Sequence, residues 1–138
     1  MKILVVDDEL VSRKKMHKIM EQAGECESYD NGTDALKAFK DAMVSEAPFD
    51  LISLDIAMPD MSGIDVLTQI RAFERENGVA RSESVKIMMV TSHSDQENVV
   101  ASLKAGCNNY IVKPFDKERV FSKIESLGLN IGNSGHQV

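Results

Sequence analysis

An alternation constrains this chain more than any other feature. Five short apolar runs take turns with five stretches of helical period. The runs are Ile3–Val6, Glu27–Tyr29, Leu51–Leu54, Ile87–Val90 and Tyr110–Val112. Three of them are nearly continuous apolar sequence, as strands covered on both faces are. Between them, Met16, Ile19, Met20 and Ala23 fall at the i, i+3, i+4, i+7 spacing that lines one stripe of a helix. Leu36, Phe39 and Met43 form a second such stripe, entered through Asp30-Asn31-Gly32, a turn rich in capping residues. Val66, Leu67, Ile70 and Phe73 form a third, after Ser62-Gly63. Val99, Val100 and Leu103 form a fourth, stopped by Gly106, and Val120, Phe121, Ile124 and Leu127 a fifth, stopped by Gly128. Five strand–helix units in succession predict an α/β fold with a mostly parallel sheet, helices on both faces and right-handed crossovers. The polar stretch Glu74–Ser84 reads as a loop before the fourth strand.

Composition narrows the class further. A chain of 138 residues favours one domain, and 43% hydrophobic content suffices for a core. The formal net charge of −6 argues against non-specific nucleic-acid binding, which needs a basic surface. Cys26 and Cys107 lie in no CxxC pair and read as reduced thiols of a cytoplasmic protein. The opening MKILVVDDE is too short for a signal peptide, and no apolar run approaches the ~20 residues of a membrane span. Neither direct nucleic-acid binding nor a membrane contact is therefore expected. Residues 129–138, rich in Gly, Asn and Ser, read as a flexible tail or the start of a linker behind a domain over 1–128.

Open α/β sheets place their sites beyond the carboxyl ends of the strands. The residues there are Asp7-Asp8 after the first strand, Asp55 after the third, Thr91-Ser92 after the fourth and Lys113-Pro114 after the fifth. Three carboxylates, two hydroxyls and one ammonium thus converge on one edge. Carboxylates held close repel one another, and at least one stays protonated unless a cation neutralises the group. Mg²⁺, or Mn²⁺ in its place, suits such a set, because it takes one or two carboxylates and accepts phosphate oxygens. Asp55 is the candidate nucleophile, since a carboxylate can form an acyl phosphate and is already ionised at neutral pH. Phosphoryl transfer asks mainly for alignment and charge neutralisation, which Lys113 and Thr91 can supply.

These residues resemble a known family. The pieces ILVVDDE, DLISLDIAMPDMSGIDVL, IMMVTSHS and AGCNNYIVKPF are similar to the receiver domains of two-component response regulators, in family order, across residues 3 to about 127. The likeness is to the stand-alone chemotaxis and sporulation types. The resemblance implies a flavodoxin-like (βα)5 doubly wound parallel sheet with strand order 2-1-3-4-5. It implies phosphoryl transfer to Asp55 from a histidine kinase or a histidine phosphotransfer protein, and signalling to a downstream protein target. A phosphorylation-linked homodimer is a form the family takes. Asp8, Asp55 and the backbone carbonyl of Ala57 would ligate the metal, with Asp7 acting through a metal-bound water. Thr91 and Lys113 would contact the phosphoryl oxygens, and Lys113-Pro114 would be cis. Tyr110 matches the position of a rotameric switch coupled to Thr91. Ala57 and His93, two residues after Asp55 and Thr91, would tune the phosphoryl lifetime. Cys26 and Cys107, on opposite sheet edges in this order, would form no disulfide.

Singly, each residue has a plainer reading. Asp7-Asp8 can cap a helix, Asp55 can be a turn carboxylate, Thr91 a strand residue and Lys113 a solvated lysine. Tyr110 can be a half-buried strand tyrosine. The basic cluster Arg13, Lys14, Lys15, Lys18 reads as a solvated helix face, or as a docking surface for an acidic partner. Conjunction at one sheet edge favours the functional reading. A Mg²⁺-dependent phosphatase with an aspartyl nucleophile is the enzyme alternative, but its second Asp would stand at position 57, where this chain has Ala. A nucleotide-binding domain would show glycines after the first strand, where this chain has DDELVS. A receiver-like module that is never phosphorylated is the remaining alternative. The expectation is therefore a signalling domain rather than an enzyme, with only Mg²⁺-dependent self-phosphorylation and slow self-dephosphorylation of its own.

Overall fold

A computed structural model of the chain describes residues 1–92 and 96–131. Its elements run β1 (Lys2–Val6), α1 (Leu10–Met20), β2 (Glu25–Tyr29), α2 (Gly32–Val44), β3 (Leu51–Asp55) and α3 (Gly63–Glu76). A 3-10 turn at Arg81–Glu83 leads to β4 (Lys86–Thr91), α4 (Gln96–Ala105), β5 (Asn109–Val112) and α5 (Lys117–Ser126). All strand pairings are parallel and the sheet order is β2-β1-β3-β4-β5. This is the flavodoxin-like arrangement that the sequence implied.

Strand side chains alternate between the two sheet faces. Ile3, Val5, Leu51, Met88, Val90 and Ile111 pack with Met16, Ile19 and Met20 of α1 and with Val120 and Ile124 of α5. Leu4, Val6, Ile52, Leu54, Ile87 and Met89 pack on the other face, with Leu36 and Phe39 of α2 and Val66, Leu67 and Ile70 of α3. Helix entry follows local chemistry. Asn31 Oδ1 accepts from the Asp34 backbone N–H at 2.8 Å, Ser62 Oγ from Asp65 at 3.1 Å, and Asp116 Oδ1 from Arg119 at 2.8 Å.

Three details differ from the sequence reading. Strand β2 begins at Glu25 rather than Glu27, pairing residue for residue with Lys2–Val6. As an edge strand of polar sequence its apolar signal is short, and the ladder with β1 adds Glu25 and Cys26 to it. The expected loop over 74–84 starts later, because α3 runs through Glu76 and buries Glu74 to 3% exposure. On α4, Val100 and Leu103 face outward at 53% and 49% exposure, while Ser102 is fully buried. The Ser102 hydroxyl satisfies itself by donating to the Asn98 carbonyl at 2.7 Å, which lets a polar residue occupy the inner face. Leu129 and Ile131, beyond α5, are half-buried against the α1/α5 face.

Candidate functional site

Period-two alternation explains how the site assembles. Asp7 continues the Ile3, Val5 side of β1, Asp55 the Leu51 side of β3, and Lys113 the Ile111 side of β5, so all three point to the α1/α5 face. Asp7 and Asp55 are each 4% exposed. Carboxylate oxygens of Asp7, Asp8 and Asp55 lie within 4.8 Å of one another. The Lys113 ammonium reaches them across the sheet edge. Its Nζ stands 3.1 Å from Asp7 Oδ2, 3.7 Å from Asp55 Oδ1 and 2.6 Å from Glu9 Oε1. The Lys113-Pro114 peptide is cis.

Backbone contacts hold these groups in place. The Glu9 N–H donates to Asp7 Oδ1 at 2.9 Å, and Arg13 Nη1 donates to the Asp7 carbonyl at 2.9 Å. The chain leaving β3 turns back on itself, and the Gly63 N–H donates to the Ile56 carbonyl at 2.9 Å. A Cβ on Gly63 would lie 2.1 Å from the Asp55 carbonyl oxygen, so only glycine lets α3 begin this close to the nucleophile candidate.

Burial, and then the charge of Asp7, push the Asp55 carboxyl up to about 8, although Lys113 pulls the other way. Burial draws the Lys113 ammonium down, but the carboxylates of Glu9, Asp55 and Asp7 outweigh it and the net shift is upward. The hydrogen bond from Lys113 holds Glu9 below the usual carboxylate range. One ammonium therefore faces the carboxylates of Asp7, Glu9 and Asp55, with Asp8 beside them, and the anionic excess is the kind of environment a divalent cation relieves. The donor set of three carboxylates fits a hard cation such as Mg²⁺.

Asp7, Asp8, Asp55 and Lys113 thus come together. Ala57 is exposed in the turn two residues past Asp55. Thr91 is buried at the end of β4 on the opposite alternation from Asp55, and its hydroxyl donates to the Ser92 carbonyl at 3.2 Å. Tyr110 is 36% exposed, with the Lys123 ammonium 5.2 Å from its ring centroid, and so points away from the carboxylates. His93 lies outside the described residues. The reading of the sequence missed Glu9, and it took Gly63 only as the entry to a helix, without its approach to Asp55. Glu9 was visible as the third acid of DDE, but its tie to Lys113, 104 residues away, is a tertiary fact.

Among the described residues no helix is long and apolar enough to cross a membrane. The family model of the response regulator receiver domain matches residues 3–125. The chain is 33% identical over 129 residues to the chemotaxis protein CheY of Pseudomonas aeruginosa, across 92% of this chain and 95% of that protein. Two solved structures are similar as well. One is the complex of the Saccharomyces cerevisiae histidine phosphotransfer signaling protein Ypd1 with the receiver domain of its downstream response regulator Ssk1. It has a TM-score of 0.78 and 26% identity over 93% of this chain and 88% of the matched one. The other is the CheX–CheY–BeF3–Mg²⁺ complex of Borrelia burgdorferi, with a TM-score of 0.77 and 25% identity over 94% and 90%. With this fold and this sequence likeness along nearly its whole length, the chain belongs to the response regulator receiver domain family of two-component signalling, with CheY-like relatives.

Proposed function

We propose that this receiver domain takes a phosphoryl group onto Asp55 from a phosphohistidine on a kinase or phosphotransfer protein and signals through protein contacts. The observation that carries the reading is a buried carboxylate set among Asp7, Asp8 and Lys113 at the sheet edge. In the transfer a bond forms between an Asp55 carboxylate oxygen and phosphorus. The bond from phosphorus to the donor breaks, and its electron pair leaves with the donor. Burial and Asp7 raise the Asp55 carboxyl in the metal-free site, so its proton would leave as the cation is taken up, and the carboxylate then attacks without a general base. The carboxylates of Asp7, Asp8 and Asp55, with the Ala57 carbonyl, would hold Mg²⁺ or Mn²⁺, which when bound offsets their charge and attracts phosphoryl oxygens. Lys113 would move onto a phosphoryl oxygen, and Thr91 would exchange its Ser92 partner for another. Tyr110 would then turn inward from Lys123, shifting the population of the face made by α4, β5 and α5. The outward Val100 and Leu103 give that face apolar surface for a downstream protein.

Support for the donor comes from the likeness to a receiver solved with a histidine phosphotransfer protein, and for the chemistry from the likeness to the complex that contains BeF3 and Mg²⁺. Within this reading the phosphorylated unit is residues 1–128, and the chain from 129 onward is a tail or linker whose first residues dock on the α1/α5 face. Ala57, which offers water no hydrogen bond, and His93 would set how long the phosphoryl group lasts. Intact-mass measurement after incubation with acetyl phosphate and Mg²⁺ tests the assignment. One phosphoryl gained by the wild type and none by Asp55→Asn is expected. A gain in neither protein overturns it in favour of a pure interaction module.

A further inference from the structure

Glu9 has no task in the phosphoryl transfer just described, yet it makes the shortest contact to Lys113. The ammonium has three N–H donors and three carboxylates around it. Simple electrostatics draws a cation to the least solvated anions, where the local dielectric is lowest. Those are Asp7 and Asp55, with side chains 5% and 6% exposed. The shortest distance, 2.6 Å, is instead to Glu9, whose side chain is 63% exposed. Asp55 is the farthest of the three, and at 3.7 Å it is beyond hydrogen-bond reach.

Local structure explains why Glu9 is available. It stands at the N-cap position of α1, but its side chain makes no capping hydrogen bond. Its backbone is fixed at both ends, with its N–H on Asp7 Oδ1 and its carbonyl accepting from the Arg13 N–H at 2.9 Å. Ser12 Oγ donates to the same Oε1 at 3.3 Å and steers the carboxylate toward Lys113. The side chain can therefore swing away without disturbing the helix.

We propose that Glu9 is a positioning residue that holds the Lys113 ammonium on the α1 side of the site and releases it when a phosphoryl group arrives at Asp55. This role rests on the phosphorylation reading above. Glu9 thus sets a threshold against phosphorylation. The height of that threshold is the strength of one largely exposed ion pair, which corresponds to about a two- to fivefold effect on rate.

The test uses the full chain as wild type, Glu9→Gln and Glu9→Asp. The aspartate keeps the charge but is one methylene too short to hold Lys113 in place. Both variants should raise the second-order rate of phosphorylation by acetyl phosphate at saturating Mg²⁺ by about two- to fivefold. Without metal or phosphodonor, both should also raise trace acetylation of Lys113 by acetic anhydride relative to Lys104, read by mass spectrometry. A faster Glu9→Gln with Glu9→Asp at the wild-type rate overturns the proposal, because one fewer negative charge then explains the effect. Unchanged rates in both variants overturn it as well. If no protein gains a phosphoryl group, the phosphorylation reading itself fails and takes this role with it, and the labelling then reports only a surface ion pair.

Discussion

Both ends of the sheet bury charged groups, and they do so on opposite plans. At the end where β4 begins, Arg71 and Glu74 of α3 are paired at 2.8 Å. Arg71 also donates to the carbonyls of Gly106 at 3.0 Å and Val85 at 2.9 Å, and to Asn108 Oδ1 at 3.0 Å. The second oxygen of Glu74 accepts from the Val85 N–H at 2.9 Å, and Asn108 Oδ1 accepts from Ile87 at 2.7 Å. One cation meets one anion and the surrounding hydrogen bonds are made. At the carboxyl end, Asp7, Glu9 and Asp55 share Lys113, and Asp8 crowds the same cluster. Balance makes the first cluster a clamp that joins α3 to the segments before β4 and β5. Imbalance makes the second a site, because its surplus charge is relieved only by something from outside.

The contrast can be broken most forcefully at the clamp. Arg71→Ala leaves the Glu74 carboxylate buried without its cation and should lower unfolding free energy by about 3–5 kcal/mol. Urea denaturation measures it; a loss below 1 kcal/mol would mean the cluster is not the tie it is read to be.

Next in size is Gly63→Ala. A methyl 2.1 Å from the Asp55 carbonyl oxygen has to displace backbone rather than a flexible side chain. A loss of about 1–3 kcal/mol is expected, and phosphorylation should slow because Asp55 itself moves. Wild-type melting with wild-type phosphorylation would refute the close approach.

The smallest effect has the opposite sign. Asp55→Asn replaces a buried carboxyl crowded by Asp7 and should stabilise the metal-free protein by about 0.5–2 kcal/mol at neutral pH, a gain bought with function. The sign follows from linkage. The Asp55 carboxyl titrates near 8 in the folded chain against a reference of 3.8, so the folded state holds its proton more tightly. The stabilisation from that proton is fully present below about pH 4 and is lost as pH rises toward 8. Thermal melts across that range should decline in wild type and flatten in Asp55→Asn. Mg²⁺ should raise the wild-type midpoint by mass action more than that of the variant. A variant less stable than wild type at neutral pH would contradict the picture of surplus charge.

Much of this was legible in the sequence. Apolar runs and helical periods depend on neighbours a few residues apart, so the five strand–helix units can be read along the chain. The residues after each strand could be listed too, because a parallel sheet sends every strand end to one edge. What escaped depended on contacts between distant segments. Strand β2 owes its first two residues to pairing with β1. Glu74 read as part of a polar loop because its partners, Arg71 apart, come from the segment after the helix. Val100 and Leu103 fit a helical period, but packing turned Ser102 inward and those two outward.

The sequence by itself determined the strand–helix order and the presence of Asp7, Asp8, Asp55, Thr91 and Lys113 at strand ends, since both follow from local periodicity. Only the tertiary structure decided how one ammonium is divided among its acids. That outcome depends on distances of 2.6, 3.1 and 3.7 Å between β5 and residues of β3 and the β1–α1 junction. Electrostatic energy varies with such distances and with burial, and neither is written in the order of residues along the chain.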